Sequence, residues 1–146
     1  MIDRQFIGHA LSPLTVDVEP GQLRFFAKAT GQADPVYHDE ASARAAGYRA
    51  LPAPPTFLFS LDLNQPDPFA LYTTLGVDLN RILHGEQRFR YGAQICAGDR
   101  ITLRTRIADI YDKKGGAMEF IVLETDAVNQ LGEDAGSMTR VIVVRN

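Results

Sequence analysis

The chain has 146 residues, a net charge of −3, 45% apolar and 23% charged residues, enough for one domain over residues 1–146 but not for two ordinary ones, in a balance that argues against disorder. Its basic residues are scattered, which excludes a groove built to neutralise nucleic-acid phosphates. No apolar run reaches membrane-spanning length, Met1-Ile2-Asp3-Arg4 opens no signal peptide and Cys96 stands alone, so a cytoplasmic protein is expected, with no membrane partner.

The pattern predicts helices first and strands second. Leu14-Thr15-Val16-Asp17-Val18 alternates and is β-branched, so it reads as a short strand. Pro20 sits where a first helical turn tolerates it, and Leu23, Phe26 and Ala27 share a face, predicting a helix to about Ala29 with Gly31 as its left-handed cap. Asp39 is placed to cap a second helix over Glu40 to Ala46, ended by Gly47. Pro52 to Pro55 force an extended approach to a third helix, Thr56 to Leu63, apolar nearly all round and therefore buried. Asn64 to Pro68 is a proline-broken loop. Strands follow: Glu86 to Tyr91, Ile101 to Tyr111, Met118 to Val128 and Met138 to Arg145, joined by turns at Gly98-Asp99, at 112–116 and near Gly132. Long antiparallel strands after one buried helix imply a sheet curved around that helix. The edge of a strand such as Ile101 to Tyr111 needs covering, which predicts a dimer.

The residues that carry chemistry lie between Thr30 and Phe57. Asp34-Pro35-Val36-Tyr37-His38 sets a carboxylate and an imidazole on a proline-fixed turn. Acid–base work beside a carbonyl needs such a pair plus a backbone donor for the carbonyl oxygen. His38 is either the general base or a brace for the Asp39 helix start. Asp34 is either its partner or the acceptor in an Asx turn. Tyr37 lines a pocket mouth or packs. Pro54 and Pro55 are adjacent, and Pro55 has no N–H, so Thr56 and Phe57 carry the first donors at a helix start whose dipole favours a developing enolate. The alternative is that Pro-Pro only stiffens the turn. His84 stands before a strand, facing substrate or serving structure, and His9 near the N-terminus has no role. No His or Cys spacing suits a metal, no glycine-rich loop precedes a helix, and no Gly-x-Ser-x-Gly elbow occurs, so no metal or cofactor is expected.

Gly31 to Phe57, with Ala-Pro-Pro-Thr-Phe inside it, His84-Gly85-Glu86-Gln87, Ala97-Gly98-Asp99 and the closing strands together resemble the MaoC-like acyl thioester dehydratases and hydratases, in particular their N-terminal-type domain. The resemblance implies an α+β hot-dog fold and reversible hydration of a trans-2-enoyl thioester on coenzyme A or acyl carrier protein. The catalytic motif of that family reads Gly-Asp-x-Asn-Pro-x-His. Here Gly31 and Pro35 match, Gln32 stands at the Asp position, Asp34 at the Asn position, and Tyr37 is one residue extra before His38. Gln cannot titrate. Two arrangements follow: an active homodimer using His38 with Asp34 or a water, or the substrate-binding half of a heterodimer whose paralogous subunit brings the complete motif. A non-catalytic acyl-thioester binder is the alternative from another class. A thioesterase would need a carboxylate on the central helix, where only Asp62, near its end, is available.

Overall fold

The computed structural model describes Met1 to Asn146. Leu14–Asp17 (β1), Ile82–Tyr91 (β2), Arg100–Lys113 (β3), Met118–Val128 (β4) and Asp134–Arg145 (β5) form one sheet in the order β1-β3-β4-β5-β2, every neighbouring pair antiparallel. Pro20–Ala29 (α1), Glu40–Ala45 (α2), Phe57–Leu61 (α3) and Ala70–Thr74 (α4) make up the helices. The sheet closes over α3, whose Phe57, Leu58 and Leu61 are buried. This is the hot-dog fold.

Several boundaries differ from the sequence reading. The central helix stops at Leu61 and tightens into a 3₁₀ turn, Asp62–Asn64, where Asn64 Nδ2 donates back to the Ser60 carbonyl at 3.0 Å. β2 starts at Ile82 rather than Glu86, so His84 lies within the strand, and β5 starts at Asp134 rather than Met138. Backbone pairing across β2 and β5 extends both strands through residues whose side chains do not alternate.

The edge expectation also changes. β3 lies inside the sheet, between β1 and β4. Beyond β1 it is covered by the N-terminal segment: Gly8 N–H donates to the Ile107 carbonyl at 2.7 Å, Ile107 N–H to His9 at 2.9 Å, and Leu11 N–H to Thr105 at 2.9 Å. The open long edge is β2, which pairs only with β5.

The interior divides in two. One cluster gathers Leu23, Leu51, Phe57, Leu58, Leu61, Leu103, Ala127 and Met138; the other gathers Tyr72, Leu75, Ile107, Ile121, Leu123, Ile142 and Val144. Along each inward row, a polar residue separates them: Thr105 between Leu103 and Ile107, Thr125 between Leu123 and Ala127, and Arg140 between Met138 and Ile142. On β2 the residue opposite Arg140 is Gln87, and directly opposed residues share a face. A polar belt therefore crosses β2 to β5 inside the sheet.

Candidate functional site

The turn after α1 is built to satisfy itself. Thr30 Oγ1 donates to the Phe26 carbonyl at 2.8 Å, Gly31 takes φ +72°, and Gln32 N–H returns to the Ala27 carbonyl at 2.8 Å. The Gln32 side-chain oxygen then accepts from Asp34 N–H at 3.3 Å, and Asp34 Oδ1 accepts from Val36 N–H at 3.1 Å, capping a 3₁₀ turn over Pro35–Tyr37. His38 Nε2 meets the Gln32 carbonyl oxygen at 2.5 Å. A carbonyl only accepts, so Nε2 carries the proton and Nδ1 is the basic nitrogen. Arg24 Nε donates to the His38 carbonyl at 2.9 Å. Asp34 and His38 thus share a turn but no hydrogen bond, and the imidazole is held by a carbonyl, not a carboxylate.

The start of α3 is closed in a similar way. Thr56 lies at φ +72°, a left-handed conformation that costs a β-branched residue on the order of 1–2 kcal/mol. Its N–H donates to the Tyr91 hydroxyl at 3.1 Å, and Phe57 N–H donates to the Pro54 carbonyl at 3.1 Å. Both donors expected to be free are therefore engaged. The next amide, Leu58 N–H, has no acceptor in hydrogen-bond range. Beside it lies a cavity of about 230 Å³ walled by Tyr37, Pro54, Pro55, Leu58, Tyr91 and Ile95 among others. Tyr37 is the only residue of the Gln32–His38 turn that reaches it. Burial first, then Tyr48 and Asp34, raises the Tyr37 phenol above its ordinary range, so it stays protonated.

The segment that brings Ile95 to this cavity as a wall is held by Asp99, a buried carboxylate. It accepts from Arg49, from Cys96 N–H at 2.8 Å and from Gln130 Nε2 at 3.0 Å. Burial pushes its pKa up, but these donors outweigh burial and hold it below the usual carboxylate value. Pro52 pairs with Cys96, and Ala53 N–H donates to the Ile95 carbonyl at 2.8 Å, which ties the Pro-Pro segment to that wall.

His84 lies elsewhere. It is exposed on β2 and meets Phe59 edge-on, ring centres 5.8 Å apart. Phe59 also carries the Arg140 guanidinium at 4.8 Å from its ring centre. Arg140 pairs with Asp62 at 2.8 Å, both largely out of water, at the end of the central helix. Asp62, Arg140, Leu71, Leu103, Thr105 and Leu123 help to line a second cavity of about 230 Å³. Sequence reasoning gave Tyr91, Asp99 and Arg140 no role at the site, although Asp99 stood in the Ala97-Gly98-Asp99 turn it named. Arg140 had a signal: it occupies an inward position between Met138 and Ile142, where an alternating strand calls for an apolar residue.

The family described as FAS1-like, dehydratase domain region matches residues 5–137. A UPF0336 protein of Thermobifida fusca is 36% identical over 145 residues, covering 99% of this chain and 94% of its own length. Among solved structures, the C-terminally truncated HadBC (3R-hydroxyacyl-ACP dehydratase) complex of Mycobacterium tuberculosis superposes with a TM-score of 0.80 at 26% identity, over 94% of this chain and 96% of that one. A MaoC-like dehydratase superposes with a TM-score of 0.81 at 21% identity, over 97% of this chain but 42% of its own.

Proposed function

The chain belongs to the FAS1-like dehydratase-region family, and on that premise we propose that it is the substrate-binding subunit of a hydro-lyase. The reaction is interconversion of a (3R)-hydroxyacyl thioester and its trans-2-enoyl thioester, on coenzyme A or acyl carrier protein. Residues 1–146 act as one hot-dog domain. The observation that carries this reading is the closed turn: His38 is held by the Gln32 carbonyl while the Asp34 carboxylate is spent on Val36 N–H. An acid–base pair able to take the α-proton and return it to a leaving hydroxyl needs an ionisable partner on the imidazole. None is bonded to His38, so the reading assigns that pair to a paralogous subunit.

What this chain supplies is binding and orientation. The apolar walls at Pro54, Leu58 and Ile95 hold the acyl portion, the neutral Tyr37 hydroxyl lies at the same cavity, and Leu58 N–H is the donor left for a thioester oxygen. The open edge of β2 is the surface for the partner strand. The HadBC complex, a dehydratase assembled from unlike subunits by its name, supports that assembly. The thioesterase alternative is disfavoured because Asp62 is committed to Arg140.

The test is hydration of crotonyl-coenzyme A by the chain alone and by the chain co-expressed with a paralogue bearing the complete motif. Alone, turnover should be lower by about 10²–10⁴-fold, the usual contribution of general acid–base catalysis. His38→Ala should leave the turnover of the two-subunit enzyme within about threefold, well below such a contribution. Full activity of the isolated chain, abolished by His38→Ala, would instead establish a self-sufficient homodimer. Thioester binding without turnover in any combination would leave a non-catalytic binder. Sedimentation checks the assembly, since a monomer at micromolar concentration contradicts pairing of like chains through β2.

A further inference from the structure

Tyr91 is the last residue of β2 and continues its inward row after Gln87 and Phe89. The side chain is held at both ends. Its ring stacks on Phe89, centres 5.9 Å apart and planes 3° off parallel, and its hydroxyl oxygen accepts from Thr56 N–H at 3.1 Å. The residue opposite, Gly136, has no side chain to crowd the ring. A phenol carries a donor as well as an acceptor. The oxygen of Tyr91 is engaged by Thr56, while no oxygen of the chain accepts its proton. Accepting an N–H polarises a hydroxyl and strengthens its own donation. Tyr91 is 58% exposed and lines the first cavity, so a ligand there can reach it.

We propose that the Tyr91 hydroxyl donates to the thioester carbonyl oxygen of a substrate in the first cavity, relaying the hydrogen bond it receives from Thr56 N–H. This rests on the acyl-thioester reading above and names the side chain that orients the acyl group. The lining decides the kind of acceptor. None of the residues that wall the cavity is charged, so a carboxylate or phosphate finds no counter-ion there, whereas a carbonyl needs only a neutral donor. The side-chain amide at the cavity is already spent: Gln94 Nε2 donates to the Ile95 carbonyl at 2.9 Å and to the Ala53 carbonyl at 3.5 Å. Tyr37 presents a second phenol, but only the Tyr91 oxygen is held by a donor, which lowers the cost of orienting it. Covalent structure explains why a side chain serves: Pro54 and Pro55 wall the same cavity and have no N–H to offer. A carbonyl oxygen has two lone pairs, so Tyr91 acts beside Leu58 N–H rather than in place of it.

Calorimetric titration of the purified protein with butanoyl-coenzyme A and with S-butyl-coenzyme A, which lacks the carbonyl oxygen, tests this. The wild type should prefer the thioester, and Tyr91→Phe should reduce that preference about fivefold, the worth of one neutral hydrogen bond. The two compounds share the rest of the molecule, so a merely structural role for Tyr91 would weaken both alike and leave the preference intact. A ring-fluorinated tyrosine placed at position 91 is more acidic and a stronger donor. In mildly acidic buffer, where the phenol stays protonated, it should raise the preference and lower the carbonyl stretching frequency of bound, isotope-labelled thioester. A preference that Tyr91→Phe leaves unchanged, or one that ring fluorination does not move, would overturn the proposal. 2-Pentanone separates this failure from failure of the thioester reading. If neither coenzyme A compound binds, a shift of the Thr56 amide resonance on adding the ketone, absent in Tyr91→Phe, keeps the donor and discards the thioester. No such shift, or one that persists in Tyr91→Phe, discards both.

Discussion

The two ends of the central helix α3 are opposites. At its start, where the family resemblance puts the chemistry, nearly every polar group is answered from within the chain: Asp34 by Val36 N–H, His38 by the Gln32 carbonyl, Thr56 N–H by Tyr91. At its end, where no motif drew attention, a buried ion pair sits beside a cavity and three polar atoms have no partner. A satisfied group has no free capacity for substrate, and an unsatisfied one in the interior carries a standing cost. The motif end is therefore built for holding, and the unmarked end has the unmet demand.

The largest effect should come from breaking the far end on one side only. Arg140→Met leaves the Asp62 carboxylate buried without its cation and should cost about 3–5 kcal/mol in chemical denaturation, whereas the Asp62→Leu, Arg140→Met pair should stay close to wild type. If the single and double variants cost the same, the pair is not acting as a buried ion pair. At the near end, Gly92→Ala puts a methyl 2.2 Å from the Asp134 carbonyl oxygen, on the wall of the first cavity. The backbone must shift, and a loss of about 1–3 kcal/mol is expected as a drop in melting temperature.

Smaller changes sharpen the comparison. Thr56→Gly should be stabilising by about 1 kcal/mol, because glycine takes φ +72° without the strain a β-branched residue stores there; a loss of stability would mean the threonine side chain is needed at the helix start. Tyr91→Phe frees Thr56 N–H at an exposed position and should cost less than about 1 kcal/mol. It should not raise turnover of the isolated chain, since the missing carboxylate remains missing, and a rise in rate would identify the amide as the limiting part.

The smallest effect is in pH. Asp99, held below the ordinary carboxylate value despite its burial, adds stability that is complete above its unfolded pKa and is lost as pH falls through its lower folded value. Asp99→Asn should therefore flatten the acid limb of the stability curve while lowering stability at neutral pH. An unchanged acid limb would assign acid sensitivity to other carboxylates.

Much of the fold was legible. Pro20, Gly31 and Asp39 marked helix ends that the structure keeps, because a cap acts on the few residues beside it. Met118–Val128 was bounded to the residue by its alternation and its flanking turns. The starts of β2 and β5 were not, since backbone pairing with another strand extends them through residues with no pattern of their own, whereas their ends at Tyr91 and Arg145 were. Within the candidate site, the residue types were readable and their partners were not. Asp34, Tyr37 and His38 were named from the motif, yet which of them would face the cavity depends on how a turn closes against its own carbonyls. Arg140 could have been suspected from its inward position, but Asp62, 78 residues away, is a partner that only the closed sheet supplies.

The amino-acid sequence by itself determined the local matters: where helices start, that α3 is apolar enough to be buried, that Gln32 cannot ionise and that Pro55 cannot donate. Those follow from covalent structure and near neighbours. The tertiary structure alone decided that the Tyr91 hydroxyl accepts from Thr56 N–H, that the N-terminal segment covers β3 and leaves β2 open, and that Gln87 lies opposite Arg140 with its amide unpaired while Arg140 reaches Asp62. Each of those depends on residues far apart in the chain, and hydrogen bonds and charges act only over the few ångströms to which folding brings them.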